Sequence, residues 1–186
     1  MKNVTTTMLF VLIGIGFSSC SDSDNVVPVN EEEVITTVIT TLTGGGQIVT
    51  LQSRDLDGDG PNAPTINVSG NLIANTTYTG TVTFLNELVM PADDITIEVE
   101  EEGIDHQLFF QPIPTSIGTF TYTDTDANGN PIGLQFTLVT GNAVSGYVVV
   151  TLRHEPNKSA AGVATGNIAN AGGNTDAEVS FPVIVN

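Results

Sequence analysis

From residue 33 onward, apolar and polar positions alternate in short runs separated by Gly, Asn and Asp. The cleanest run sets Tyr78, Gly80, Val82 and Phe84 against Thr79, Thr81 and Thr83. Successive side chains of a strand point to opposite faces, so this predicts a half-buried strand with a polar outer face. Val34 to Leu42 has helix-like spacing at Val34, Val38 and Leu42. Its eight successive β-branched residues, Val34 to Thr41, nevertheless favour a strand, because they are stiff at χ1 and crowd a helix. Gly44-Gly45-Gly46 then turns the chain into a strand over 47–54, completing a hairpin. Further strands are predicted over 65–69, 107–113, 117–123, 133–140, 146–155 and 177–185.

Two segments depart from this vocabulary. Residues 92–102 place Asp93 and Asp94 where a helix N-terminus attracts acidic groups, with Ile95 and Val99 one turn apart, and a short helix is expected there. The same stretch also alternates Ile95, Ile97 and Val99, which is the strand reading. Residues 159–175 are rich in Gly, Ala and Asn without periodicity and read as a long loop, a length often functional or mobile. Pro182 cannot donate a ladder hydrogen bond, so the last strand is expected at an edge or with a bulge. Together these predict an all-β protein: a Greek-key, immunoglobulin-like β-sandwich of eight or nine strands in one domain, residues 33–186.

The N-terminus is built differently. Met8 to Phe17 is a run of ten apolar or glycine residues behind the single basic Lys2. As a helix it spans roughly 15 Å against a hydrocarbon layer of about 30 Å, so it reads as a signal-peptide core rather than a membrane span. Ser18-Ser19-Cys20 follows, and Cys20 is the only cysteine of the chain. This arrangement resembles the lipobox of bacterial lipoproteins, which implies cleavage after residue 19 and acylation of Cys20; two or three acyl chains give stable anchoring. Residues 20–32 then form an acidic tether. The expected location is the outer membrane, on its periplasmic face or at the cell surface, with the membrane itself as the first partner.

Charge narrows the remaining choices. The chain has 21 acidic residues against four basic ones, and cleavage would leave only Arg54, Arg153 and Lys158. Nucleic-acid binding needs a basic face that displaces counterions, and anionic-lipid recognition needs clustered Lys or Arg, so neither is expected. A single cysteine also excludes an internal disulfide.

Three sets of residues carry candidate chemistry. Asp55, Asp57 and Asp59, with Asn62 three residues on, and Asp124, Asp126, Asn128 and Asn130 place oxygens at alternate positions near glycine, as in the first half of a calcium loop, apart from the wider step to Asn62. The twelfth position of each frame is Ile66 or Gln135 rather than a bidentate glutamate, and plain Asx turns are the simpler reading. If Ca²⁺ binds, its role is to lock loops. His106 and His154 read first as core-edge or surface histidines. The alternative is a transition-metal pair assisted by Asp105 or Glu155, and nothing in the spacing shows that the two meet. An enzyme is not expected: no Gly-x-Ser-x-Gly elbow surrounds a serine, and loose carboxylate pairs are unavoidable in so acidic a chain. Tyr78, Tyr122 and Tyr147 fall within predicted strands as core, and Trp is absent, so no aromatic sugar platform is evident.

Several stretches taken together resemble short Bacteroidota lipoproteins of unknown function: Arg54 to Pro64, Asn75 to Gly80, Asp124 to Leu134 and Leu152 to Lys158. That family is sometimes labelled with a type 1 periplasmic binding fold, an architecture of repeated strand-helix-strand units over two lobes, whereas this chain's length and strand-rich vocabulary point to the sandwich. The composite expectation is a lipid-anchored, non-enzymatic binding or structural module, with a small-ligand or metal-binding accessory lipoprotein as the alternative.

Overall fold

The computed structural model describes residues 33–58 and 60–186. The predicted signal peptide (1–19), Cys20, the tether (20–32) and Asp59 lie outside the described residues.

The domain is an all-β sandwich. In chain order the elements are β1 (Thr37–Gly44), β2 (Gln47–Arg54), β3 (Thr65–Val68), β4 (Thr77–Asn86), β5 (Asp93–Asp94), α1 (Ile95–Glu101), β6 (His106–Ile113), β7 (Gly118–Tyr122), β8 (Gln135–Thr140), β9 (Val144–His154) and β10 (Asn174–Val185). One sheet has the order β3-β2-β1-β4-β8-β7, with the short β5 beside β4; the other has the order β10-β9-β6. All strand pairs are antiparallel. The connections β4 to β6, β6 to β7 and β8 to β9 cross between sheets. The set β1-β4-β8-β7 facing β10-β9-β6 is the four-plus-three order of a constant-type immunoglobulin sandwich, here extended at one edge by β2 and β3.

The alternation read from the sequence fixes the core. Tyr78, Gly80, Val82 and Phe84 of β4 all face inward, while Thr77, Thr79 and Thr81 face solvent. A Cβ on Gly80 would lie 2.2 Å from the Phe136 ring, so the bare backbone makes room for that aromatic. Phe136 in turn packs against Phe110 of the opposite sheet, ring centroids 4.3 Å apart. Leu108 and Phe110 of β6, Val148, Val150 and Leu152 of β9, and Phe181, Val183 and Val185 of β10 complete the opposing layer.

Residues 95–101 are helical, as the acidic start suggested. The Asp94 side chain accepts a hydrogen bond from the Thr96 N–H, and Ile95 and Val99 are buried while Ile97 is exposed. Pro182 lies on β10, an edge strand, in keeping with its missing donor. Two readings need revision. The 159–175 stretch is not structureless: it forms 3₁₀ turns at Val163–Thr165 and Ile168–Asn170 and covers the outer face of β6, where Phe109, Val163 and Ala171 form a second small core. Tyr147 is exposed rather than core, because Val148, Val150 and Leu152 take the inner face of β9 and the odd positions point outward.

Candidate metal centre

The inner face of β9 ends on His154, two residues beyond Leu152 and therefore on the same side of the strand. On β6, His106 precedes Leu108 and Phe110 with the same spacing. The antiparallel register pairs His106 directly with His154. Both side chains consequently enter the sandwich at one end, with His154 Nδ1 3.0 Å from His106 Nε2 and the rings edge-on, centroids 4.7 Å apart.

Two carboxylates join them from distant parts of the chain. Glu33, in the segment leading into β1, places Oε1 2.9 Å from His106 Nε2 and 3.9 Å from His154 Nδ1. Asp176 places Oδ2 3.7 Å from His106 Nε2 and 3.9 Å from His154 Nδ1. Asp176 reaches this position through a β-bulge. Thr175 pairs with Arg153 and Ala177 with Leu152, so Asp176 is the extra residue between them. From Ala177 to Val185 the odd residues face inward, and an unbroken strand would turn Asp176 outward; the bulge resets the alternation and brings its carboxylate in. Gly173 permits the close approach just before it, with φ +69° and a hypothetical Cβ only 2.1 Å from the His154 carbonyl oxygen.

The resulting set is enclosed. Side-chain exposure is 0% for His106, 5% for His154 and 2% for both Glu33 and Asp176. The four ligand atoms lie within 4.8 Å of one another, and among the described residues this is the one group of three or more His, Cys, Asp or Glu so arranged. A tetrahedral ion with bonds of about 2.1 Å holds its ligands about 3.4 Å apart, and the five separations above, from 2.9 to 3.9 Å, bracket that value. Glu33 Oε2 is buried without a hydrogen-bond partner among the described residues. An unsatisfied buried carboxylate oxygen is costly, and a cation removes that cost.

His106 is also oriented from behind. Its Nδ1 lies 3.2 Å from the carbonyl oxygen of Glu102, the C-cap of α1. A carbonyl only accepts, so Nδ1 is the ring nitrogen suited to donate here, the arrangement that would leave Nε2 to ligate an ion bound at the centre. The surroundings are negative: burial first, then the charges of Glu33, Glu102 and Asp93, raise the Glu98 carboxyl above its usual range.

The carboxylates adjacent to the histidines in sequence, Asp105 and Glu155, are both exposed and are not among the four. Their backbones are joined by one hydrogen bond, Glu155 N–H donating to the Asp105 carbonyl at 2.6 Å. The aspartate loops have a different geometry. Asp55 accepts from the N–H groups of Asp57 (3.2 Å) and Gly58 (3.0 Å), and Asp57 accepts from the Asn62 side-chain amide (2.6 Å). Asp124 accepts from the N–H groups of Gly133 and Gln135. One oxygen of Asp126 accepts from the N–H groups of Asn128 and Asn130, and the other from Lys158 Nζ at 2.9 Å. Lys158 is itself buried and also donates to the carbonyls of Gly103 and Pro131. An ammonium thus sits among the oxygens of the second loop. Burial alone would raise the Asp126 carboxyl, but the Lys158 hydrogen bond and the N–H groups of Asn130 and Asn128 outweigh it and hold it below the usual range.

No family model, curated protein or solved structure matches this chain. Among the described residues, no helix is long and apolar enough to cross a membrane.

Proposed function

We propose that the protein is a lipid-anchored component of the cell envelope whose sandwich binds one divalent transition-metal ion through Glu33, His106, His154 and Asp176. Zinc is the first choice: two imidazole nitrogens and two carboxylate oxygens form a borderline donor set, and the absence of thiolate or thioether argues against a soft ion such as Cu(I). The carrying observation is the convergence of four buried ligand atoms within 4.8 Å, drawn from four separate stretches of chain. All four positions come from protein and the ligands are enclosed, which suits holding an ion rather than presenting it to a substrate; the role is that of a non-enzymatic binding module. The anchoring half of the reading rests on the Ser18-Ser19-Cys20 sequence.

Zinc titration of chelator-stripped protein, read by a competing chromophoric chelator, tests the site. The expected result is one equivalent bound by the wild type and at least about 100-fold weaker binding by His154→Ala. Equal uptake by the two proteins, or no uptake by either, would overturn the reading.

A further inference from the structure

We infer that the bound ion is a clasp between the two sheets: it fixes the segment leading into β1 onto the three-stranded sheet. This rests on the metal reading above and adds to it what the ion does.

Three of the ligands belong to one sheet. His106 and His154 are cross-strand neighbours on β6 and β9, and Asp176 is the bulge of β10, which pairs with β9. Glu33 is different, because it precedes β1, a strand of the opposite sheet. An ion shared by all four therefore ties the start of one sheet to the end of the other.

The segment has little else to hold it. Among the described residues, its backbone hydrogen bonds begin at Thr36, whose N–H donates to the Leu85 carbonyl at 2.9 Å and whose carbonyl accepts from Asp55 N–H at 2.7 Å. Residues 33–35 make no such bonds there; Ile35 packs partly against the core, and Val34 is 51% exposed. The burial of Glu33, a negative group at 2% exposure, therefore depends on what its carboxylate meets. Without the ion it would sit close to a second carboxylate, Asp176, with histidines as its ion-pair partners. Moving Glu33 back into water relieves that repulsion and rehydrates the carboxylate, at the cost of its 2.9 Å contact with His106 and the Ile35 packing, and the empty protein is expected to let residues 33–35 come away.

The ion would supply a link that this sandwich lacks in covalent form. Immunoglobulin domains commonly join their two sheets through a disulfide, and this chain, with Cys20 as its one cysteine, cannot form an internal one. Closing long loops is where a cross-link contributes most.

Hydrogen exchange followed by mass spectrometry on full-length protein, with zinc and with chelator, tests the clasp, and the zinc bound is measured on the same samples. With one equivalent of zinc bound, the amides of residues 34–36 are expected to exchange about tenfold more slowly than in the stripped protein. In Glu33→Ala with zinc bound to the three remaining ligands, they are expected to exchange at the stripped rate. Stoichiometric zinc binding with unchanged exchange at 34–36 would overturn the clasp while leaving the site intact. No zinc binding at all would overturn both.

Discussion

His106 Nε2 and His154 Nδ1 stand 3.0 Å apart on directly paired strands, and the orientation of the first is set by the Glu102 carbonyl behind it. With Asp176 brought in by the β10 bulge, three of the four proposed ligands are held by one sheet before any ion arrives, which reduces the ordering cost of binding.

The choice of carboxylates is the sharpest point to test by mutation. Asp105→Asn and Glu155→Gln, which remove the exposed sequence neighbours of the histidines, are expected to leave zinc affinity within about twofold of wild type. Glu33→Gln and Asp176→Asn are expected to weaken it by about tenfold or more. Competition titrations of the four variants provide the comparison.

Loading should raise thermal stability. At a free zinc concentration 100 times Kd, binding contributes about 2.7 kcal/mol. For a domain of this size that corresponds to a rise in Tm of roughly 5–10 °C, measured against a chelator-treated control. Repeating the melt with Ca²⁺ tests the loops at Asp55–Asn62 and Asp124–Asn130 separately, and an unchanged midpoint there removes the calcium reading.

The buried Lys158–Asp126 pair predicts an acid-sensitive contribution to stability. The folded Asp126 carboxyl titrates below its ordinary 3.8. Its contribution is therefore complete above that value and is lost as pH falls through the lower folded value. Asp126→Asn should flatten the acid limb of the stability curve. At neutral pH it should cost about 3 kcal/mol or more, since it leaves the Lys158 ammonium buried without its charge partner. Urea unfolding between pH 2 and 7 measures both effects.

Gly173→Ala should damage the site from outside the ligand set. The added methyl group would meet the His154 carbonyl at 2.1 Å on a backbone with φ +69°. A loss of about 1 kcal/mol or more in stability is expected, together with weaker zinc binding as the Asp176 bulge shifts. A matched Gly46→Ala change, also at positive φ but with open space around the new methyl, separates local strain from displacement of the site.

The anchor has its own check. Intact mass of the native product is expected to show a chain beginning at Cys20 with acyl chains attached, and Cys20→Ala is expected to retain the unprocessed N-terminus. A bare thiol on the wild-type product would contradict the anchor.

Much of the fold was legible because sandwich strands write their burial into alternating residues. Tyr78 to Phe84 predicted both β4 and its buried face, and Val148, Val150 and Leu152 already put His154 on the inner side of β9. The expectation that Asp105 or Glu155 would assist the histidines did not use this alternation, which turns immediate strand neighbours to opposite faces. What the sequence could not reveal was register. Only the pairing of β6 with β9 brings the histidines together, and only the bulge turns Asp176 inward. Glu33 carried no signal of its own, as the last of three successive glutamates, Glu31 to Glu33. The 3₁₀ turns over Phe109 were hidden for a similar reason: short turns rich in Gly and Ala have no period, and the apolar patch they cover lies far away in sequence.

X-ray absorption at the zinc edge on the loaded, full-length protein reads the four proposed ligands themselves. One ion is expected, with four nitrogen or oxygen neighbours at about 2.0–2.2 Å, two of them showing imidazole multiple scattering. A shell of water oxygens without imidazole, or protein that returns from dialysis without zinc, would contradict the proposed site.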